Sequence, residues 1–288
     1  MRTNPLVRPF LKWAGGKRQL LPHILAALPD HFTRYYEPFL GGGAVFLALQ
    51  PPRAVVNDSN PELINCYQVV RDAVEDLITA LEEHKACSSR EYYDALRAWD
   101  RSPEYGQRPP VERAARMIYL NKQCYNGLYR VNRRGEFNVP YGRYTNPTIF
   151  DAEVLHAVSA YLRSAEVELR CEDFADSTRD AAAGDALYFD PPYDPISPTA
   201  LFTSYAAHGF GKQEQERLRA HVDALAARGC HFVLNNAYTP FIADLYGGYP
   251  QTVVGAARSI NSNTARRGRV DEIVVTNVPH PLHPHVRG

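Results

Sequence analysis

The stretch Ala186-Leu187-Tyr188-Phe189-Asp190-Pro191-Pro192-Tyr193 begins as a short apolar run and ends in two prolines between an acid and a ring. The run has the length of a buried strand, and two consecutive prolines neither continue a sheet ladder nor enter a helix interior. The chain therefore leaves the sheet at Asp190. Open α/β sheets bind ligands at the carboxyl ends of their strands, and a rigid turn there holds one carboxylate, one ring and a fixed carbonyl together. That set suits an exocyclic amine on a flat base. A purely structural turn accounts for the prolines but not for the flanking Asp190 and Tyr193, and both readings stand at this point.

Upstream, Tyr35-Tyr36-Glu37 reads as a short strand, followed by Pro38-Phe39-Leu40-Gly41-Gly42-Gly43 and a helical run from Ala44 to Leu49. Strand, glycine loop and helix N-terminus form a nucleotide cradle, because backbone without side chains lets a ligand approach closely. A second apolar strand, Ala54 to Val56, ends in Asn57-Asp58, fifteen residues beyond Gly43. An acid at that position grips ribose hydroxyls in dinucleotide folds, and Asp58 fits the role. It is not needed as a helix cap, since Asn60 before Pro61 already supplies one. At the start of the chain, Phe10-Leu11-Lys12-Trp13-Ala14-Gly15-Gly16-Lys17 is a glycine turn before an amphipathic helix carrying Leu20, Leu21, Ile24, Leu25 and Leu28. It is no phosphate loop: the first glycine of that motif is missing, and Arg18 stands where Ser or Thr should be. What remains is Trp13 between two cations, Lys12 and Lys17.

From Pro61 to Asp100 the apolar spacing is helical, with no strand where a simple alternating α/β fold would place its third. Pro103 to Pro110 forms a loop and Val111 to Leu120 resumes the helix, so residues 61–160 read as an insertion into a domain made of 1–60 and 161–288. From Asn121 to Pro140 the insertion turns to β character, with Asn132-Arg133-Arg134-Gly135 as a hairpin tip. Tyr119, Tyr125, Tyr129, Phe137, Tyr141 and Tyr144 interleave with arginines, and between Arg108 and Arg143 eight basic residues face two acidic ones. Rings to wedge or stack beside cations for phosphates make a ribbon that contacts DNA or RNA.

The α/β rhythm then returns. A helix near Asp151 to Leu162 precedes a strand from Val167 to Cys171 that ends at Glu172-Asp173-Phe174. After Ala186 to Phe189 come helix Gly211 to Arg228, strand His231 to Leu234, a short helix from Pro240, and strands Thr252 to Val254 and Ile273 to Thr276. A second basic cluster, Arg258, Arg266, Arg267 and Arg269, lies between the last two strands, and the tail from Pro279 reads as disordered. The 288 residues carry 32 basic and 32 acidic side chains, so no whole-molecule field attracts a polyanion and the local patches carry that signal. No apolar run approaches the ~18 residues of a membrane span. The N-terminus lacks a signal segment, and five scattered cysteines without a Cys-x-x-Cys pair fit a reducing cytoplasm and no structural metal.

Assembled in order, Phe10 to Lys17, Glu37-Pro38-Phe39 with its glycines, Asn57-Asp58, the Tyr125-to-Tyr144 ribbon, Asp190 to Tyr193 and Arg258-Ser259-Ile260 resemble the DNA adenine methyltransferase (Dam) family of S-adenosylmethionine-dependent N6-adenine methyltransferases. The resemblance runs from Phe10 to about Asn277. It implies an α/β, doubly wound, seven-stranded Rossmann-like sheet with an inserted, mainly helical target-recognition domain carrying the hairpin. It implies that Trp13 and Lys17 help bind the cofactor, that Glu37, Gly41 and Gly43 border its methionine part and Asp58 its ribose, and that Asp173, Phe174 and Asp190 belong to the same site. On the DNA side Tyr125 would enter the base stack and Asn126 would stand near the expelled base. Leu128, Arg130 and Pro140 would read base edges, Arg130 by paired hydrogen bonds to a guanine, and Lys12 would touch another guanine. Arg143 and Arg258 would hold phosphates. The implied target is the adenine of GATC in double-stranded DNA, bound by a monomer. Gln123, Tyr141 and the pair Asn235-Asn236 fall where the family is expected to vary.

Adenine N6 lies inside a duplex, so the nucleotide must be flipped out, at a cost of a few kcal/mol. Its lone pair is delocalised into the ring. If Asp190 and the Pro191 carbonyl each accept one N6–H while Tyr193 stacks on the base and Pro192 keeps the turn rigid, the lone pair turns toward the methyl donor. An RNA or cytosine-N4 methyltransferase remains as an alternative, and so does a DNA-binding protein without catalysis. Against the first, cytosine-N4 enzymes more often carry Ser in place of Asp190.

Overall fold

The computed structural model describes residues 3–15, 17, 19–195, 210–257 and 269–279. Helix α1 (Leu21–Ala27) precedes β1 (Tyr35–Glu37), α2 (Ala44–Leu49) and β2 (Arg53–Asn57). Five helices follow: α3 (Pro61–Asp72), α4 (Val74–Ala86), α5 (Arg90–Arg97), α6 (Pro110–Gln123) and α7 (Ala152–Ser164). The chain ends in β3 (Glu166–Arg170), β4 (Ala186–Phe189), α8 (Lys212–Ala227), β5 (His231–Ala237), α9 (Pro240–Leu245), β6 (Gln251–Ala257) and β7 (Arg269–Thr276).

The strands form one seven-stranded sheet in the order β3-β2-β1-β4-β5-β7-β6. The first five run parallel, and β7 enters antiparallel between β5 and β6. Strand order reverses between β1 and β4, so Glu37 and Asp190 flank the switch point where such sheets bind ligands. Side chains alternate between two cores. Tyr35, Tyr188, Val233 and Val274 join the core under the N-terminal segment and helices α1 to α7. Tyr36, Leu187, Phe189, Leu234 and Ile273 join the core under α8 and α9. Each fully buried side chain of this kind stabilises the fold by about 1.5–3 kcal/mol. The Asn60 side chain caps α3, accepting from the Glu62 and Leu63 amides, an arrangement worth about 1 kcal/mol. No helix among the described residues is long and apolar enough to cross a membrane.

Several boundaries differ from those read off the sequence, among them those of β6, which runs to Ala257, and β7, which starts at Arg269, and two of them bear on the site. Strand β5 runs three residues past Leu234, because its ladder continues along β7 and pairs Asn235 with Val274 and Asn236 with Ile273. Polar residues at a strand end escape an apolar-run criterion. Helix α6 extends through Gln123, so Asn121 and Lys122 are helical. The hairpin beyond it is held by two isolated bridges, Cys124 with Tyr141 and Val131 with Phe137, and by single bonds such as Asn138 N–H to the Arg130 carbonyl at 3.0 Å. Gly127 and Gly135 take left-handed φ of +62° and +80°, which strand backbone does not have.

Candidate active site and DNA-facing surface

The period of two along a strand carries the first core face outward from Tyr35 to Glu37, Tyr188 to Asp190, Val233 to Asn235 and Val274 to Glu272. Four polar groups thus gather at the carboxyl edge of the sheet, on the face covered by the N-terminal segment. Lys17, 4% exposed, reaches into the row. Its Nζ lies 2.8 Å from Asp190 Oδ2, donates to the Gly15 carbonyl at 2.6 Å and stands 4.9 Å from the centre of the Tyr193 ring. The Tyr193 hydroxyl donates to Glu272 Oε2 at 2.6 Å. Burial pushes the Asp190 carboxyl up, and Lys17 opposes the shift. Burial also pushes Glu37 up, to about 8, against hydrogen bonds from the Tyr35 hydroxyl (2.6 Å) and the Phe46 amide at the start of α2. Glu37 therefore keeps its proton at neutral pH. The Tyr188 hydroxyl and both polar atoms of the Asn235 amide are buried with no hydrogen-bond partner among the described residues.

Beside this row lies the glycine turn. Gly41 has φ +49°, and a Cβ there would fall 2.7 Å from Cδ1 of Trp13, whose ring packs on the turn. Gly43 leads directly into α2. Asp58, at the end of β2, accepts the Gly41 amide at 2.9 Å and the Asn60 amide at 3.0 Å, and burial raises its carboxyl. Each oxygen keeps a lone pair for a further donor. Phe174 is buried in the second core, 5.5 Å from Phe39. Asp173 is exposed and paired with Arg217 at 2.7 Å, which holds its carboxyl below the usual range. Trp13, Lys17, Glu37, Gly41, Gly43, Asp58, Asp190 and Tyr193 thus converge on the switch point. Asp173 instead faces solvent.

The ribbon presents Tyr125, Asn126, Arg130, Pro140 and Arg143 as exposed side chains, with Leu128 half-buried. Lys12 is also exposed, and its stem fills the space where Gly127, at φ +62°, has no side chain. Asn121, fully buried, ties the two segments together. It accepts the Lys12 amide and donates to the Lys12 carbonyl, both at 2.8 Å, and donates to the Gly127 carbonyl at 3.2 Å. Arg130 Nε donates to Asn138 Oδ1 at 2.7 Å. A cleft of about 480 Å³ beside the ribbon is lined by Arg8, Lys12, Lys122 and Tyr144. Burial and the Lys12 charge lower Lys122 to about 8. Trp13 stacks on Tyr129, with ring centres 5.2 Å apart, and so joins the glycine turn to the ribbon. Arg258 lies outside the described residues. Sequence reasoning missed Asn121 and Glu272. The only signals were an amide directly after the apolar run Met117 to Leu120, and an acid two positions before a buried β7 residue.

A sheet of this order, with a glycine turn after β1, an acid after β2 and Asp-Pro-Pro-Tyr after β4, defines a methyltransferase of the Rossmann-like class. Residues 13–260 match the model of the D12 class N6 adenine-specific DNA methyltransferases, and the chain belongs to that family. It is 45% identical over 271 residues to the Type II methyltransferase M1.LlaDCHI of Lactococcus lactis subsp. cremoris, covering 94% of this chain and 95% of that one. It is 40% identical over 292 residues to the Type II methyltransferase M.MjaIII of Methanocaldococcus jannaschii, covering 94% and 99%. It is 35% identical over 280 residues to the DNA adenine methylase of Escherichia coli K12, covering 96% and 98%. Family membership decides for adenine N6 in DNA over RNA or cytosine N4.

Proposed function

We propose that the protein transfers the methyl group of S-adenosylmethionine to N6 of a flipped adenine in duplex GATC, as a monomer acting on cytoplasmic DNA. The observation that carries this reading is the Lys17–Asp190 pair at the switch point, beside Tyr193 and the protonated Glu37. All seven strands fall within residues 1–60 and 161–288, which supports assigning those segments to catalysis and residues 61–160 to target recognition.

The residues present fit the cofactor. The glycine turn under Trp13 admits a close ligand, and Asp58 has lone pairs left for a diol. The buried Tyr188 hydroxyl and Asn235 amide, without partners among the described residues, are polar groups a ligand could satisfy. Bound there, the cofactor supplies an activated methyl group. Lys17, whose Nζ lies 2.8 Å from Asp190, would hold the carboxylate of the cofactor's methionine part. Asp190 and the Pro191 carbonyl then accept the two N6–H bonds, and Tyr193 stacks on the base. Placement and local electrostatics supply the rate. On the DNA, Tyr125 holds the gap left by the flipped nucleotide and Asn126 stands beside it. Leu128, Arg130, Pro140 and Lys12 meet base edges, while Arg143 and Arg258 meet phosphates.

The test is methyl transfer from labelled S-adenosylmethionine to duplexes that differ only in GATC, with the product identified as a nucleoside. N6-methyladenine confined to GATC is expected. Methylation of other adenines with GATC untouched would overturn the assigned site.

A further inference from the structure

We infer that Gln215 and Asn236 form a clamp of two amides that fixes the Pro191 carbonyl beside Asp190 and thereby sets the rate of methyl transfer. The inference rests on the reading that the Asp190 turn holds the target amine. Pro191 and Pro192 have no amide hydrogens and locked φ angles, so the turn has no donor of its own between Asp190 and Tyr193 and its remaining freedom is in ψ. That freedom is removed from outside. The Pro192 carbonyl accepts from Gln215 Nε2 at 2.8 Å, and Gln215 Oε1 accepts from Asn236 Nδ2 at 3.1 Å. Asn236 Oδ1 accepts the Asp194 amide at 3.0 Å and the Ala237 amide at 2.8 Å, and Thr239 Oγ1 closes the far side on Asp194 Oδ2 at 2.8 Å. Gln215 is 1% exposed and Asn236 is fully buried.

Every polar atom of the two amides is used, and flipping either one would set donor against donor or acceptor against acceptor. Such a satisfied buried network is rigid. Its bonds converge on Pro192 and Asp194, the residues that bracket Tyr193. A role confined to packing would not require that convergence, since an apolar side chain could fill the same space between α8 and β5. Gln215 and Asn236 are therefore positioning residues, acting through the turn.

Gln215→Leu removes the bond to Pro192 while filling space. Asn236→Asp takes away the donor that orients Gln215, so the Gln215 amide turns and sets its oxygen against the Pro192 carbonyl. Single-turnover transfer is measured on a GATC duplex and on fragments of unmethylated genomic DNA, alongside affinities for S-adenosylhomocysteine and DNA and the melting temperature. The expected result is a transfer rate lower by about 10- to 100-fold in each variant, with both affinities within about threefold of wild type. The double variant should be no slower than the slower single one, as for two members of one device. An unchanged rate in folded Gln215→Leu, a loss confined to KM, or additive losses would overturn the clamp. If Asn236→Asp does not fold, Gln215→Leu and Gln215→Met decide between these outcomes. Wild type active on genomic fragments but inert on GATC counts against the recognition site alone. Inertness on both overturns the reading of the turn and the clamp with it.

Discussion

The Asp190 turn and the Tyr125-to-Arg143 ribbon hold their working groups in opposite ways. At the turn, Lys17, Asp190, Tyr193 and Glu272 form bonds of 2.6–2.8 Å at a largely buried sheet edge. On the ribbon, Tyr125 is 44% exposed and Arg130 has Asn138 as its partner. The difference follows from what each region completes. Methyl transfer needs charge placed before the base arrives, in a site from which water is excluded. Under the proposed function recognition is completed by the DNA itself, so these side chains stay at the surface and the ribbon is anchored from beneath, through Asn121.

The largest effect expected is at the turn. Asp190→Ala should lower methyl transfer by about 10²- to 10³-fold or more while DNA affinity stays near wild type in a filter or mobility assay; a matching loss of DNA binding would erase the contrast between the regions. Next comes the joint between them. Asn121→Ala leaves the Lys12 and Gly127 backbone groups without partners and should cost about 1–3 kcal/mol of stability, read by denaturant unfolding, together with weakened sequence preference. On the ribbon, Arg130→Ala should lose about 1–3 kcal/mol of discrimination at one guanine with the single-turnover rate on saturating DNA little changed. Unaltered specificity would remove Arg130 from base reading.

The smallest expected effect is a pH slope. Glu37 titrates near 8 in the fold, above its value in the unfolded chain. Its cost to stability is absent below the unfolded pKa, grows as pH rises through the window between the two values, and is complete above about 8. Glu37→Gln, which keeps the Tyr35 hydrogen bond without the charge, should flatten the decline in melting temperature across that window in cofactor-free protein. A variant with the wild-type slope would place the titration elsewhere.

The same contrast governs what was legible in the sequence. Glycine, proline and apolar runs mark backbone events, so the strand before Asp190, the turn at Gly41 and the Asn60 cap could be read directly. Ribbon residues were readable because their chemistry is outward and their spacing local. The supports were not. Asn121, Gln215, Asn236 and Glu272 act through partners between 6 and 109 residues away, and nothing local separates a buried amide with three bonds from one on a solvated surface. The resemblance puts Asn235-Asn236 on variable ground, yet both are fully buried in β5. Its register against β7 is a tertiary fact.

One ring contact has a thermodynamic consequence. Trp13 packs on the turn at Gly41 and stacks on Tyr129 of the ribbon, so a single indole touches both regions. Under the proposed function, ordering that ring by either partner prepays part of the ordering needed by the other. Linkage then requires that S-adenosylhomocysteine tighten DNA and DNA tighten S-adenosylhomocysteine by the same factor. Titration of each ligand in the presence and absence of the other measures that factor, and Trp13→Leu should bring it to one.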